Sequence, residues 1–219
     1  KLFLNEHKLK FNEIEKSLKI RSNMVAYHLE QMRKENLIGK NKEYYYLTKD
    51  AEKYIPIFSQ LQGQNLSPLP VILVAIMHND KILMIKRNKR PYKDYWSMIG
   101  GKMLMDESFK EVSIRKVKEK SGLDTKFVSM NAVLHERVHD ISVKHSFILF
   151  FTKVNSEKIK FKETASGKLK WFNIKKLDIE KIIPSDYWLI KNKLNSKIKI
   201  DSARMVDKEN ELCDFKILY

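Results

Sequence analysis

The stretch SIRKVKEKSGL, residues 113–123, combines the pattern of a short amphipathic helix with a glycine at its end. On a helix, positions 116, 119 and 120 lie at i, i+3 and i+4 and meet on one face. Carboxylates at all three positions could together hold hard divalent cations such as magnesium. Only Glu119 is a carboxylate here, because lysines stand at positions 116 and 120. The helix therefore has the spacing of a metal-binding helix with the charge reversed.

The residues before this helix extend the pattern. Gly101 is followed after five residues by Glu107, and Glu107 is followed after seven by Arg115. This spacing resembles the Nudix box, G-x5-E-x7-R-E-U-x-E-E-x-G-U, in which U is an aliphatic residue. The residues that match in register are Gly101, Glu107, Arg115, Val117, Glu119, Gly122 and Leu123. With Trp96 and a double glycine before the box and HERVHD and KWF after it, the resemblance to a Nudix-like (MutT-like) domain covers nearly all of residues 70–195.

The resemblance implies an α/β/α sandwich around a mixed sheet, with the box as a loop-helix-loop. Members of the family cleave nucleoside diphosphates linked to another moiety, and glutamates in R-E-U-x-E-E hold the magnesium that they use. This chain has Lys116 and Lys120 at two of those glutamate positions. A charged lysine has no lone pair for a metal, and it repels a dication. We therefore predict a degenerate box without an intact catalytic set and with weak or absent pyrophosphohydrolase activity.

The carboxylates that remain have a structural interpretation. Glu111, Arg115 and Glu119 lie at i, i+4 intervals, which predicts an ion-paired ladder along the helix. No cofactor follows from this set. Magnesium is expected only if the chain is a hydrolase after all, and Glu107 and Glu119 would then be its ligands.

A positive charge at the box has another use, since a lysine binds phosphate as a point charge. Lys116 and Lys120 are therefore candidates for binding a nucleotide or sugar-phosphate ligand that is held without being cut. Further candidates are Arg87 and Arg137 for phosphate, and Phe147 and Trp171 for stacking on a base. Each of these four also has an ordinary alternative, which is a surface ion for the arginines and core packing for the aromatic residues.

The segment that positions the box follows GQNLSPLP, residues 63–70. The glycine, serine and two prolines of this stretch predict a linker between a domain at residues 1–62 and a second at residues 71–219. In the second domain, strand-like runs joined by Asn79-Asp80 predict a hairpin, and IPSDYWLIKNKL predicts a helix that begins at a proline. The alternating tail from Lys197 predicts a C-terminal β-hairpin extension.

The first 62 residues have the pattern of helices followed by a hairpin. Apolar residues recur at helical spacing in FNEIEKSL and SNMVAYHLEQMRKENL, with Ser22 as the expected N-cap and Gly39 as the expected stop of the second helix. LIGKNKEYYYLT alternates like a short hairpin, and a last helix is expected from about Asp50 to Gln60. This order resembles the winged helix-turn-helix DNA-binding domain of many bacterial and archaeal repressors. The whole chain is thus predicted to be α+β with two domains.

On the second helix, Met24 or Val25 is expected in the core with Leu29, Met32 and Leu37, which leaves a polar face. Side chains on that face can contact the phosphates and base edges of double-stranded DNA. The candidate DNA-binding residues are Arg21, Asn23, Tyr27, His28, Gln31 and Lys34, with Lys40 and Lys42 at the hairpin tip. The alternatives are a solvated face on an ordinary helical domain, or a winged helix that contacts protein.

The composition limits the class of protein. Of 219 residues, 43% are hydrophobic and 32% are charged, which favours a packed core over disorder. A formal charge of +16 suggests a nucleic-acid partner, although lysine is scattered over the whole chain. The single Cys213 excludes an internal disulfide and a cysteine-based zinc site and fits a reducing cytoplasm. No apolar run is long enough to span a membrane, no signal peptide is visible, and the start at Lys1 indicates that a few residues are missing in front.

Three functions are compatible with these patterns. We favour a homodimeric DNA-binding transcriptional regulator whose Nudix-like domain senses a nucleotide or phosphorylated metabolite. In domain content, though not in domain order, it resembles bacterial repressors that join a Nudix-like sensor to a winged helix. The second hypothesis is a Nudix hydrolase with an unusual metal site and a winged helix that serves oligomer contacts. The third is a Nudix-like domain that serves only as a dimerisation scaffold.

Overall fold

The computed structural model describes residues 2–52, 67–89, 92–139, 144–177, 180–208 and 211–218. The chain forms two compact units, Lys1–Ser67 and Pro68–Tyr219. Most of the predicted linker lies outside the described residues, but its last two residues already belong to a strand that begins at Leu69. The predicted helix from Asp50 to Gln60 is described only at its start, and the rest lies outside the described residues. The domain limits at residues 62 and 71 stay predictions.

The N-terminal unit contains short helices and a small sheet. Its elements are α1 (Leu2–Asn5), β1 (Lys8–Lys10), α2 (Phe11–Leu18), α3 (Ser22–Lys34), β2 (Ile38–Asn41), β3 (Tyr44–Leu47) and α4 (Lys49–Glu52). The three strands are antiparallel in the order β1–β3–β2. Ile14 from α2, Val25 and Leu29 from α3, and Ile38 and Tyr45 from the sheet form one buried cluster. This cluster holds α2 and α3 against the sheet because each helix buries a single apolar stripe.

The second helix differs from the sequence-based expectation in two details, and the structure resolves one alternative that the sequence left open. Of the two alternatives for the core, Val25 is fully buried and Met24 is 49% exposed. Ser22 is not the N-cap: that position is Arg21, and the Ser22 hydroxyl instead donates to the carboxylate of Glu15 on α2. Gly39 is not the helix stop, because α3 ends at Lys34 and Gly39 lies in β2 with the ring of Tyr46 where a side chain would stand.

The C-terminal unit is built on a mixed sheet. Its elements are β4 (Leu69–His78), β5 (Lys81–Arg87), β6 (Trp96–Ser97), β7 (Ile99–Gly101), α5 (Phe109–Ser121), β8 (Thr125–His139), β9 (Lys144–Ser156), β10 (Gly167–Asn173), a 3-10 turn (Ile174–Lys176), α6 (Pro184–Lys193), β11 (Ser202–Lys208) and β12 (Glu211–Leu218). The main sheet has the order β10–β5–β4–β9–β8, with β6 paired to β5 and β7 paired to β4. The β4–β9 pair is parallel and the other pairs are antiparallel, so the predicted mixed sheet is confirmed.

Alternate residues of β4 face two separate cores, as the two-residue period of a strand requires. Ile72, Val74 and Ile76 belong to the cluster that includes Val112 and Val117 of α5. The other face of β4 belongs to the cluster that includes Leu189, Ile190 and Leu194 at α6. The sheet therefore lies between α5 on one side and α6 on the other. This arrangement places α5 against β7, whose double glycine pairs with the central strand β4.

The predicted hairpins of this unit are confirmed. β4 and β5 are joined through Asn79 and Asp80, with Asn79 in the left-handed region at φ 52°. β11 and β12 form a separate two-stranded antiparallel sheet, with a register shift between Arg204 and Val206. Among the described helices, no segment is long and apolar enough to cross a membrane.

Candidate functional site

Helix α5 is capped at both ends by its own sequence. The Ser108 hydroxyl accepts from the Glu111 N–H at 3.2 Å, and the Glu111 carboxylate accepts from the Ser108 N–H at 2.8 Å, which is a capping box. At the other end Gly122 adopts φ 70°, and its N–H donates to the Lys118 carbonyl at 2.9 Å. A left-handed backbone conformation at this position favours glycine. The residues between these caps are therefore held in a fixed rotation about the helix axis.

Arg115 connects the loop before the helix to the helix itself. Its Nη2 donates to Glu107 Oε2 at 2.6 Å and its Nε donates to Glu107 Oε1, while its Nη1 donates to Glu119 Oε1 at 2.7 Å. Glu107 also accepts from the Leu104 N–H at 2.7 Å. The hydrogen bond from Arg115 and that backbone bond lower the pKa of Glu107 to about 2. Glu107 is thus an ionised anchor for the loop of residues 102–108.

The predicted ladder of Glu111, Arg115 and Glu119 is only half correct. Arg115 pairs with Glu119 as expected, but its second partner is Glu107 rather than Glu111. Glu111 is occupied by the cap at Ser108, and bonds from the Ser108 backbone and side chain lower its pKa. Helical spacing therefore identified one partner, and the loop supplies the other.

Lys116 and Lys120 lie against the double glycine of β7. Lys116 Nζ donates to Glu119 Oε2 at 2.9 Å, and its side chain is only 18% exposed. The stem of Lys116 covers Gly101, since a Cβ on that glycine would lie 3.0 Å from Lys116 Cε. Lys120 Nζ donates to the Gly100 carbonyl oxygen at 2.6 Å. The two lysines therefore occupy the space between α5 and the glycine strand with positive charge.

The electrostatics of the site follow from this packing. Burial lowers the pKa of Lys120, and the positive charges of Lys116 and Arg87 lower it further. In contrast, Lys116 and then Arg115 lower the pKa of Glu119 by hydrogen bonding to its carboxylate. The only carboxylate of the central trio is thus ionised and already shared by two cations. An anionic group is the partner that would reduce the repulsion among Lys116, Lys120 and Arg87.

The residues present do not fit magnesium. Within the described parts of the chain, no three His, Cys, Asp or Glu side chains are grouped so that they could hold a metal ion. Glu107 and Glu119, the two expected ligands, are both engaged by Arg115. Magnesium requires a near-octahedral shell of oxygen atoms, whereas the positions beside Glu119 carry ammonium groups. No catalytic step through a metal follows from this geometry.

A second polar group lies on the α6 side of the sheet, and sequence reasoning missed it. Asp186, in the first turn of α6, is 2% exposed and accepts from the Met98 N–H at 2.6 Å. Burial raises its pKa to about 7, and the charge of Glu136 raises it while that of Arg87 lowers it. Burial also raises the pKa of Tyr92, whose buried hydroxyl has no hydrogen-bond partner among the residues that the structure describes. The only sequence signal for Asp186 was an acid after Pro184, which is typical of an exposed helix start.

The other predicted ligand residues are not all brought together. Arg87 ends β5, is half-buried, and acts electrostatically on both Lys120 and Asp186. Arg137 is exposed on β8. Phe147 packs against the core on the α6 side, whereas Trp171 packs against the core on the α5 side and donates its Nε1–H to the Ile159 carbonyl at 2.8 Å. Phe147 and Trp171 therefore do not form one stacking site.

The predicted DNA-binding residues lie on exposed parts of the N-terminal unit. On α3 and at its N-cap, Arg21, Asn23, Tyr27, His28 and Lys34 are exposed and Gln31 is half-buried. Lys40 lies on β2 with its ammonium 5.1 Å from the centre of the Tyr45 ring, and Lys42 lies in the turn before β3 with φ 54°. The candidate DNA-binding residues therefore lie along one helix and one hairpin.

The NUDIX domain family matches residues 68–192. The chain belongs to this family, and the Nudix resemblance predicted from the box is confirmed. Among solved structures, a MutT NUDIX hydrolase from Burkholderia pseudomallei has a TM-score of 0.50 and 18% identity and covers 57% of this chain and 97% of its own. A MutT protein from Bacillus halodurans has a TM-score of 0.50 and 21% identity, with 68% and 96% covered. At these identities the likeness shows the fold.

Two relatives have described functions. An ADPR responsive transcriptional repressor, NtrR, from Acinetobacter baylyi is 30% identical over 95 residues, which cover 41% of this chain and 38% of the repressor. An ADP-ribose pyrophosphatase from Methanocaldococcus jannaschii is 30% identical over 132 residues, which cover 58% of this chain and 77% of that protein. The match thus spans well under half of the repressor. One relative is named as a regulator and the other as an enzyme.

Proposed function

We propose that this protein is a DNA-binding transcriptional regulator whose Nudix domain binds a nucleotide or phosphorylated metabolite without hydrolysing it. The observation that carries the proposal is the position of Lys116 and Lys120. Both face the double glycine where the family pattern has carboxylates, and one of them is bonded directly to the Gly100 carbonyl. A helix that presents ammonium groups there suits an anionic ligand better than a metal ion.

The ligand class follows from chemistry and from the names of the relatives. Lys116, Lys120 and Arg87 place three positive charges near one another, which suits a diphosphate. Both relatives are named for ADP-ribose, a nucleoside diphosphate linked to a sugar. We therefore choose ADP-ribose as the first probe. A bound phosphate would compete with the Gly100 carbonyl for the Lys120 ammonium, because it offers a full negative charge to a donor that now bonds only a neutral oxygen.

The regulatory half of the proposal rests on the N-terminal unit. Helices α2 and α3 followed by the β2–β3 hairpin, with β1 on the far side of β3, support a winged helix-turn-helix interpretation. Exposed Asn23, Tyr27 and Lys34 on α3 support contact with double-stranded DNA. A homodimer would place two such helices on two half-sites. A ligand that changes the distance between them changes DNA affinity, since half-site spacing is a geometric requirement.

A Nudix hydrolase is the second candidate, and one observation favours it. Glu107, Arg115 and Glu119 remain in register with the box, and the relative of which the match covers 77% is named as a pyrophosphatase. In that case magnesium would be the cofactor, and Glu107 and Glu119 would have to leave Arg115 to bind it. The winged helix would then serve oligomer contacts.

The two candidates are separated by one experiment with two readouts. The full chain is incubated with ADP-ribose in magnesium or in EDTA, binding is measured by calorimetry, and cleavage is measured as AMP released. If the protein is a regulator, ADP-ribose should bind with similar affinity in both buffers, and no AMP should appear above the buffer blank. A Lys116→Ala, Lys120→Ala variant should bind at least tenfold more weakly, and Lys110→Ala at the exposed start of α5 is the matched control.

Two results would reject the proposal. The first is magnesium-dependent release of AMP with appreciable turnover, especially if Lys116→Ala abolishes it. The second is failure of the full chain to retain any specific fragment of genomic DNA in a pull-down, with and without ADP-ribose as competitor.

A further inference from the structure

The outward face of α3 carries an unusual combination of side chains for a surface helix. Val25 is fully buried and Leu29 is 5% exposed, so the helical period directs Asn23 and Tyr27 to the opposite side. Tyr27 is 61% exposed and Met24 is 49% exposed. Two large apolar side chains therefore stand in solvent beside amide and basic groups on the surface proposed to meet DNA.

The charges on α3 lie at its two ends. Arg21 is the N-cap residue, and Arg33 and Lys34 form the last turn. The sequence from Ser22 to Met32 contains neither lysine nor arginine. Its one carboxylate, Glu30, accepts a 3.0 Å hydrogen bond from Arg33. The middle of the helix therefore offers amides, the Tyr27 ring, the His28 imidazole and a thioether, but no lysine or arginine.

These side chains suit an A·T base pair better than a G·C base pair. In the major groove, lysine and arginine contact guanine, a carboxylate accepts from cytosine, asparagine and glutamine contact adenine, and apolar side chains contact the thymine methyl group. The guanine-reading residues are absent from the middle of α3, and its cytosine-reading carboxylate is engaged by Arg33. Asn23 and Gln31 are side chains of the kind that contacts adenine. Met24 and Tyr27 are apolar side chains of the kind that contacts the thymine methyl group.

We infer that α3 reads an A·T-rich half-site in the major groove, with Met24 and Tyr27 against thymine methyl groups and Asn23 and Gln31 at adenine edges. This inference rests on the proposed function, because it requires that α3 meets DNA. The Asn23 Oδ1 accepts from the Met24 N–H at 2.8 Å, so the side chain can donate through Nδ2 to adenine N7, whereas acceptance from adenine N6 requires that Oδ1 leave the Met24 N–H. Met24 and Tyr27 therefore carry most of the expected discrimination.

The basic residues have a different role in this arrangement. Arg21 and Lys34 at the helix ends, and Lys40 and Lys42 on the hairpin, contact phosphates without regard to sequence. Their contribution falls as salt rises, whereas contact with a methyl group does not depend on salt in this way. The two kinds of contact can therefore be measured separately.

The test uses the full chain and duplexes selected from a random library for binding to it. The best duplex is remade with each thymine replaced by deoxyuridine, which removes only the methyl group. Loss of one contacted methyl should weaken binding about fourfold, since burial of such a group contributes about 0.8 kcal/mol. Replacement of A·T by inosine·cytosine changes the major-groove pattern and keeps the minor-groove pattern close to that of A·T, and it should weaken binding at the same positions.

Variants connect the effect to named side chains. Tyr27→Ala and Met24→Ala should each bind the selected duplex more weakly and lose the distinction between thymine and deoxyuridine at one position. Leu18→Ala, which removes an exposed apolar side chain from α2, is the matched control and should keep that distinction. Both α3 residues are exposed, so these variants are expected to fold.

Each outcome has a definite meaning. Selection of A·T-rich sites with a deoxyuridine penalty that Tyr27→Ala removes supports the inference. Selection of G·C-rich sites, or of sites that bind equally well with deoxyuridine, overturns it and leaves the proposed regulator intact. Failure to select any duplex overturns the inference and the proposed function together, and self-association through Tyr27 would then explain the exposed face.

Discussion

The ammonium group of Lys120 donates a 2.6 Å hydrogen bond to the carbonyl oxygen of Gly100, which joins the last turn of α5 to the middle of β7. Lys120 therefore has a structural role in the ligand-free chain as well as a proposed role in binding. Lys116 closes the same space from one turn earlier, with its stem over Gly101 and its charge on Glu119. Both lysines therefore bridge α5 and β7.

Removal of the Lys120 charge should reduce stability. Lys120→Met keeps an apolar stem of similar length but leaves the Gly100 carbonyl without its donor. An acceptor that loses its partner in a partly buried place costs about 1–3 kcal/mol, and relief of the burial and repulsion that lower the pKa of Lys120 offsets only a part of that cost. Urea unfolding of the C-terminal unit should show this loss, and Lys110→Met at the exposed start of α5 should change the midpoint little. Equal midpoints for the two variants would show that the bond contributes nothing.

Reversal of both charges should create a metal site. In Lys116→Glu, Lys120→Glu, three carboxylates would meet on one face of α5, and magnesium should then raise the melting temperature. At a magnesium concentration 100 times the dissociation constant, the gain is about 2.7 kcal/mol. Wild type and a Lys110→Glu, Lys118→Glu control, with the same change in charge on other positions of α5, should show no such rise. A folded double variant that magnesium leaves unchanged would contradict this account of the site.

The fold was predictable where several residues had to agree in spacing. The box from Gly101 to Leu123 fixes a loop, a helix and a glycine stop together, and a sequence that matches at that many points has few other structures. The Asn79-Asp80 turn was predictable for a local reason, because asparagine tolerates the left-handed backbone found there.

Three contacts that the sequence did not predict each join a residue to a partner outside its own helix, strand or loop. Glu107 rather than Glu111 binds Arg115 because a loop folds back, which helical spacing does not describe. The buried Asp186 carboxylate accepts from the N–H of Met98, which lies between β6 and β7. Gly39 is required by the Tyr46 ring on the neighbouring strand rather than by the end of a helix. Local sequence patterns predict the helices and strands, whereas these three residues make contacts between one segment of the chain and another.

Acid should loosen the loop of residues 102–108 through Glu107. Its pKa is about 2 in the folded chain against 4.5 for an ordinary glutamate, so its ionised form contributes stability that is present above about pH 4.5 and is lost as the pH falls toward 2. Glu107→Gln should be less stable than wild type near neutral pH, and the difference should shrink as the pH falls through this range. Unfolding curves at several pH values measure it, with Asp106→Asn from the same loop as control. A difference that stays constant with pH would contradict the role of the charge.

A rise in pH from about 4 to about 7 should destabilise the fold through Asp186, which lies on the α6 side of the sheet. Burial raises its pKa to about 7 from 3.8, so the folded chain holds the proton more tightly than the unfolded chain does. Stability should therefore fall as the pH rises from about 4 to about 7, by about 1.4 kcal/mol for each unit of difference in pKa at most. Asp186→Asn keeps an oxygen for the Met98 N–H and cannot ionise, so its stability should fall less over that range. Urea unfolding at pH 4 and pH 7 measures this change in stability, with the exposed Asp124→Asn as control. If the stability of Asp186→Asn changes with pH as much as that of wild type, Asp186 does not titrate in this range.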